Sequence, residues 1–390
     1  MNAPTLPALL AERRVVVVAG AGGVGKTTIA AALSLAAAER GRRVLCLTID
    51  PAKRLFDRLG LDAGSAAEQR LDPAPFAAAG LTLKGELTVV MLDTKHTFDE
   101  LVRRHASSPA AAERILANEF YEYVSTQLAG TQAYMAMEKV LSVLSDERYD
   151  LVVLDTPPTA DALDFLDAPG RLIETLDSPA LRWLGDVFER SGRLSFNLVA
   201  QGIAFVLKTL AKLTGQGFLE RLSEFVSEVN QLFGGFRERA ERVSAAFRKP
   251  DFSYLLAATA SPGALDEAQF FAERLRRLGL GAGGVIVNRL RPSGFVEPDR
   301  AALEAELVRR KLGLENDLAG RVLRALREEG AVGAAERKTL EARKASQFSR
   351  ERIPWVLEVP ALVDSVNDVA ALVAVSRCLV PSAASSGSAP

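Results

Sequence analysis

Residues 14–41 read RVVVVAGAGGVGKTTIAAALSLAAAERG and join an apolar run to an alanine-rich stretch through a glycine-rich turn. The β-branched run Val15–Val18 is typical of a strand that is buried on both faces. The stretch Thr27–Arg40 is typical of a helix, and Gly41 is the residue type that commonly follows a helix end. A strand, a glycine-rich turn and a helix in this order predict an α/β protein whose turn can bind an anion.

The turn itself, Gly20–Thr27 (GAGGVGKT), fits the pattern G-x-x-x-x-G-K-[ST] in full. In this motif backbone N–H groups surround phosphate oxygens, and the helix N-terminus adds favourable dipole charge. We expect Lys26 to act catalytically at the β- and γ-phosphates of a nucleotide, and Thr27 to offer its hydroxyl to Mg²⁺. The predicted nucleotide-binding residues of the loop are Gly20, Ala21, Gly22, Gly23, Val24, Gly25, Lys26, Thr27 and Thr28.

The same stretch also satisfies G-x-G-x-x-G, the dinucleotide-binding pattern, and Asp50 follows the next apolar run where a ribose-binding acid would lie. A dinucleotide site does not require Lys26-Thr27 directly after the last glycine, whereas a triphosphate site depends on this pair. We therefore favour a nucleoside triphosphate and keep a dinucleotide, or a purely structural turn, as alternatives.

Two aspartates close buried strands near this loop. Asp155 ends the run DLVVLD and suits a Mg²⁺-holding role, directly or through a water; the alternative is a helix N-cap. Asp50 is a candidate to align the attacking water; the alternative is a cap or turn residue.

Further apolar runs alternate with helical patterns along the chain, at Val44–Ile49, Leu87–Leu92, Leu151–Leu154, Tyr254–Ala258, Gly284–Asn288 and Trp355–Val359. They predict a doubly wound, mostly parallel α/β sheet of about seven to eight strands with an inserted α-helical subdomain, since roughly ninety residues after 157 lack any strand signal. We expect an N-terminal extension at 1–13, core segments at 14–94, 149–165 and 251–379, helical segments at 95–148 and 166–250, and a disordered tail at 380–390.

Composition excludes several classes of protein. The chain has 390 residues, 48 Lys+Arg against 49 Asp+Glu and two cysteines. A near-neutral charge argues against a nucleic-acid partner, and two cysteines cannot form a zinc site of four. We find no signal-peptide core and no apolar run long enough for a transmembrane segment, so we expect a cytoplasmic protein.

Four elements in order resemble the arsenite-pump and tail-anchored-protein-targeting ATPase family: Gly20–Thr28 (GAGGVGKTT), Asp50–Lys53 (DPAK), Asp155–Ala160 (DTPPTA) and Val287–Arg289 (VNR). The last three are more specific than the loop, which a whole class of P-loop proteins shares. The resemblance covers residues 14 to about 377 and implies ATP hydrolysis with Mg²⁺ in a protein that dimerises around nucleotide.

The resemblance also implies roles for individual residues. Asp50 would lie in the first switch and activate water. Asp155–Thr159 would form the second switch and report the γ-phosphate to the helices. Asn288 would recognise adenine, with the backbone near Pro360 closing the base pocket; the alternative for Asn288 is a polar residue at a strand end.

Three departures from the family pattern concern partners. The family's second loop lysine is replaced by Ala21, so a homodimer would lack that cation. Either turnover is slow, or a paralogous ATPase supplies the lysine in a heterodimer, or Lys53 or Arg54 substitutes. The alternative for Lys53 and Arg54 is a solvated charge pair at the start of a helix. The zinc-binding CxxC of some members is missing. Cys46 and Cys378 form no cluster, which argues against activation by arsenite.

The long helical insertion carries six phenylalanines between 196 and 236. By resemblance they would line a groove for a hydrophobic client or a membrane-protein partner. The alternative is that they pack the insertion onto the core, as helical aromatic stripes usually do. The insertion contains no methionine, which weakens the case for an adaptable client groove.

Overall fold

A computed structural model describes residues 5–49, 54–62, 67–118, 120–122, 125, 131–145, 147–156, 167–168, 170, 174, 236–293, 298–312, 317–362 and 368–381. Contacts divide the chain into two compact units. The first comprises Met1–Met91, Arg148–Ala162 and Pro250–Pro390, and the second comprises Leu92–Glu147 and Leu163–Lys249. Residues 157–159 of the DTPPT stretch and the predicted phenylalanine groove before residue 236 lie outside the described ranges.

One sheet of eight strands forms the centre of the first unit. Its strands are β1 (Val15–Gly20), β2 (Arg43–Thr48), β3 (Gln69–Arg70), β4 (Glu86–Met91), β5 (Leu151–Asp155), β6 (Phe252–Ala258), β7 (Ala282–Leu290) and β8 (Val356–Pro360). Their order across the sheet is β3-β4-β2-β5-β1-β6-β7-β8. All neighbouring pairs are parallel except β3 with β4.

This sheet confirms the predicted fold class. Seven strands coincide, within one or two residues at their ends, with the apolar runs of the sequence. The eighth, β3, was not predicted, because it has only two residues, one half-buried and one exposed, and therefore carries no apolar signal.

Within the described ranges the helices are, in chain order, α1 (Leu6–Glu12), α2 (Lys26–Glu39), α3 (Arg54–Leu59), α4 (Ala74–Ala78), α5 (Thr94–His105), α6 (Pro109–Leu116), α7 (Thr131–Ser145), α8 (Phe236–Ala246), α9 (Pro262–Arg277), α10 (Arg300–Arg309), α11 (Leu318–Arg343) and α12 (Val369–Leu379). A π-helical segment, Lys344–Phe348, continues α11.

The helix after the loop is buried on nearly all sides. Most of α2 is apolar, and α12 packs against it over one face of the sheet. Because α2 is covered on nearly all sides, it has no polar face. Its small alanine side chains let α12 and the strands approach it closely. Gly41 follows α2 with a left-handed φ of 93°, as predicted from its position.

The second unit contains α5 to α8. Asp93 and Ser108 begin α5 and α6 as N-caps, since their side chains accept hydrogen bonds from His96 N (2.8 Å) and Ala111 N (3.2 Å). Helix α5 contacts α6 and α7, and α7 contacts α8. No helix in the described part of the chain is long and apolar enough to cross a membrane.

Candidate nucleotide-binding site

The phosphate-loop motif lies at the carboxyl end of β1, in the middle of the sheet. Ligands of open parallel sheets bind at this end of the strands. Gly20 closes the strand at a φ of 155°, where a Cβ atom would lie 2.1 Å from the carbonyl oxygen of Ala257 on β6. The neighbouring strand thus requires glycine at the start of the loop.

Gly25 ends the loop in a left-handed conformation, with φ 96°, and caps α2. A Cβ atom at this position would lie 2.3 Å from Nδ2 of Asn288. Both the backbone conformation and the contact with β7 therefore exclude a side chain here.

Lys26 is the first residue of α2 and is only 7% exposed. Its Nζ donates hydrogen bonds to the carbonyl oxygens of Gly20 and Ala21, each at 2.9 Å. The side chain thus folds back to the start of the loop, and these bonds hold the ammonium there. The positive end of the helix dipole lies at the same place, and the first turn of α2 contains no acidic residue to offset it.

Asp155 ends β5, the strand beside β1, at the same edge of the sheet as the loop. Its carboxylate is completely buried, and Oδ2 accepts a hydrogen bond of 3.0 Å from the hydroxyl of Thr48. Thr48 is the last residue of β2 and pairs with Asp155 in the sheet. The next residue, Thr156, donates its hydroxyl to the carbonyl oxygen of Val18 on β1 at 2.8 Å. These bonds place a carboxylate close to the strand that leads into the loop.

The donor set suits Mg²⁺, which prefers oxygen ligands in a compact site. Thr27 offers a hydroxyl in the first turn of α2, and Asp155 offers a carboxylate whose orientation is held by Thr48. Both are hard oxygen donors, and both lie at the end of the sheet that carries the loop.

A third strand, β7, contacts the loop from the other side. Asn288 is 4% exposed, and its Nδ2 donates to the carbonyl oxygen of Val24 at 2.9 Å. Its Oδ1 accepts from the backbone N–H of Arg289 at 3.0 Å. The Arg289 guanidinium donates to the carbonyl oxygen of Gly23 at 3.2 Å. Arg289 belongs to the VNR element, but the sequence alone indicates no role for it.

The remaining predicted residues are placed as follows. Pro360 is exposed at the end of β8 and pairs with Leu290 of β7. Ala21 is buried in the core cluster around α2. Asp50 and Lys53 lie outside the described ranges, and of Arg54 the structure describes only that it begins α3.

Comparison with known proteins places this chain in a family. The family of anion-transporting ATPases matches residues 13–312, which is most of the chain. A protein of Podospora anserina named ATPase GET3 is 28% identical over 232 residues, 59% of this chain and 63% of that protein. The ATPase get3 of Aspergillus terreus is 29% identical over 237 residues, 59% of this chain and 64% of that protein.

An archaeal protein of Halobacterium salinarum, named putative arsenical pump-driving ATPase, is 32% identical over 162 residues. That match covers 40% of this chain and 24% of the archaeal protein. The chain thus spans less than two thirds of the length of each of these three relatives. The family match extends from just before β1 to just past α10 and agrees with the resemblance found in the motifs. The chain belongs to the anion-transporting ATPase family, which includes the arsenite-pump and tail-anchored-protein-targeting type.

Proposed function

We propose that this protein binds Mg·ATP at Gly20–Thr28 and hydrolyses its terminal phosphate. The observation that carries the proposal is the position of Lys26. Its buried ammonium is held at the loop by two carbonyl oxygens, at the N-terminus of α2 and near the buried Asp155. A preorganised cation beside inward-turning N–H groups is the arrangement that stabilises phosphate charge.

The chain's own groups divide the work of phosphate binding. Loop N–H groups donate to the phosphate oxygens, and Lys26 exchanges its two carbonyl partners for oxygens of the β- and γ-phosphates. Little reorganisation is needed, because the ammonium already lies at the loop before the nucleotide arrives. This makes Lys26 the first residue to test for catalysis.

Thr27 and Asp155 would hold the magnesium ion, Asp155 directly or through a water. When bound, Mg²⁺ neutralises charge on the transferred phosphate and its neighbour. Thr48 contributes by fixing one oxygen of the Asp155 carboxylate. The sequence position of Asp50, two residues after β2, supports a role in aligning the attacking water.

Base recognition is proposed for Asn288, with the backbone at Pro360 beside it. Asn288 lies two residues before the end of β7, and Pro360 ends the neighbouring strand β8 at the edge of the sheet that carries the loop, which supports a base pocket there. Asn288 also holds the loop through Val24 in this structure, so the residue that would read adenine touches the phosphate-binding backbone as well.

We further propose that nucleotide opens and closes a dimer and thereby changes the surface of the helical unit toward a hydrophobic client or a membrane-protein partner. Family membership supports this mode of action. The hydrogen bond from Thr156 to Val18 supports the coupling step, because it joins the start of the second switch to the strand that leads into the loop.

A second candidate is a nucleotide-bound assembly subunit with little turnover of its own. Ala21 favours it, because this loop lacks the cation that a second lysine would bring to the phosphates. A paralogous ATPase in a heterodimer would then supply that charge.

The decisive experiment measures Mg·ATP binding and γ-phosphate release for the unaltered protein, Lys26→Ala and the control Lys84→Ala. Lys84 is an exposed lysine ahead of β4 and lies in the same unit. We expect phosphate release to fall by at least about a hundredfold in Lys26→Ala and to be unchanged in the control.

The same assay separates the candidates. The assembly subunit is favoured if the protein alone binds Mg·ATP without releasing phosphate, and if phosphate release begins when a paralogous ATPase is added. Binding of NAD that survives Lys26→Ala would instead support a dinucleotide site and would refute the proposal. Absence of any Mg·ATP binding would refute both ATP-dependent candidates.

A further inference from the structure

Strand β7 contains an irregularity next to the phosphate loop. Val287 pairs with Glu358 of β8, and Leu290 pairs with Pro360, so three steps along β7 match two along β8. The extra residue falls at Asn288-Arg289. A bulge of this kind changes the direction in which side chains leave a strand, and bulges are frequent beside functional sites.

The backbone at the bulge adopts an uncommon conformation. Arg289 has a φ of 57°, in the left-handed region that residues other than glycine rarely occupy. Such conformations persist only where the surroundings hold them, and they cluster at functional sites. Here the side chain of Arg289 and that of its neighbour Asn288 both end on the phosphate loop.

The two side chains hold two successive carbonyl oxygens of the loop. Arg289 donates to Gly23 at 3.2 Å and Asn288 donates to Val24 at 2.9 Å. In a trans peptide the carbonyl and the following N–H point in opposite directions. Holding the carbonyls of Gly23 and Val24 toward β7 therefore turns the N–H groups of Val24 and Gly25 away from β7.

We propose that Arg289 is a positioning residue that, through the carbonyl of Gly23, sets the orientation of the loop N–H groups for phosphate. This inference rests on the proposed function, because those N–H groups are the ones assigned to the nucleotide. Arg289 does not touch the base in this role, and its effect extends to any ligand that the loop binds through phosphate alone.

The first test measures amide hydrogen exchange of the loop without nucleotide, in the unaltered protein and in the variants Arg289→Asn and Arg289→Lys. Asparagine tolerates the left-handed conformation and removes the guanidinium, whereas lysine keeps one charged donor. The control is Arg352→Asn, since Arg352 is also an exposed arginine, with a φ of 56°.

We expect exchange of the 20–27 segment to speed up by roughly three- to tenfold in Arg289→Asn, the effect of losing one hydrogen bond, and by less in Arg289→Lys. The control leaves exchange in this segment unchanged. Equal exchange in Arg289→Asn and the control would overturn the proposal. If the asparagine variant does not fold, loop exchange in Arg289→Lys is compared with loop exchange in the control instead.

The second test measures binding of Mg·ATP, Mg·ADP and inorganic tripolyphosphate to the same variants. We expect Arg289→Asn to weaken all three by a similar factor, roughly three- to tenfold, with partial recovery in Arg289→Lys. Loss of ATP and ADP binding with unchanged tripolyphosphate binding would place Arg289 at the nucleoside and would overturn the proposal. If the unaltered protein binds no ATP, the proposed function fails, and the exchange experiment still decides whether Arg289 holds the loop.

Discussion

Replacing Gly25 by alanine tests the fit between the loop and β7 directly. Two effects are expected. The left-handed φ of 96° costs a residue with a Cβ about 1–2 kcal/mol. The new methyl would also lie 2.3 Å from Nδ2 of Asn288, and such overpacking costs about 1–3 kcal/mol. We expect these two effects to lower the unfolding free energy of Gly25→Ala by about 2–5 kcal/mol. Alanine offsets about 0.4–1 kcal/mol of this loss, because it reduces the conformational entropy of the unfolded chain.

Gly41 provides a matched control for the backbone effect. Its φ is 93°, almost the same as that of Gly25, but a Cβ there would meet nothing within 4 Å. Gly41→Ala should therefore show the conformational cost alone, about 1 kcal/mol after the gain in the unfolded chain. The difference between the two variants isolates the collision with Asn288.

The free energies are measured by urea unfolding followed at Trp355, in a Trp183→Phe background, because Trp355 packs against Gly284 of β7 and reports on the unit that contains the loop. A double-mutant cycle with Asn288→Ala adds the second criterion. Removing the carboxamide makes room for the methyl, so we expect Gly25→Ala to cost about 1–3 kcal/mol less in that background.

Two results would refute the reasoning. One is an equal loss in Gly25→Ala and Gly41→Ala. The other is a cycle in which Gly25→Ala and Asn288→Ala add within about 0.5 kcal/mol, the agreement expected of sites that do not touch.

Two further predictions concern buried groups near the site. Thr48→Val keeps the shape of the side chain but removes its hydrogen bond to the Asp155 carboxylate. We expect the unfolding free energy to fall by about 1.5–3 kcal/mol. We also expect half-maximal phosphate release to require a higher Mg²⁺ concentration. Thr48→Ser should restore both, and a serine variant as impaired as valine would contradict the assignment. Burial raises the pKa of the Cys46 thiol to about 12, so at pH 8 only roughly one part in ten thousand is thiolate. A thiol reagent at pH 8 should therefore leave Cys46 unmodified in folded protein and modify both cysteines in denaturant; modification of Cys46 without unfolding would contradict its burial.

The strands could be predicted because their signal is local. Val15–Val18 and the similar runs are apolar at nearly every position, and a parallel sheet covered on both faces requires that pattern. The same reasoning could not find β3, whose two residues pair with β4 at the edge of the sheet and are not fully buried. The order of the strands across the sheet was also beyond the sequence, since it depends on contacts between distant segments.

The candidate site divides in the same way. Lys26, Thr27 and the loop glycines follow each other in the chain, and their spacing alone indicates a phosphate loop. Asp155 could be singled out because it ends an apolar run. Thr48, which donates a hydrogen bond to its carboxylate, lies 107 residues earlier and could not be identified before the pairing of β2 with β5 was known.

The sequence by itself determined that a phosphate loop joins a buried strand to a helix, because every group that this motif needs lies within one short, continuous segment. Only the tertiary structure decided what holds that loop. Asn288 reaches Val24 across 264 residues, and Arg289 reaches Gly23 beside it. Both residues lie at a bulge in β7, where its register with β8 shifts, and register is a property of two paired strands that neither strand's sequence specifies alone.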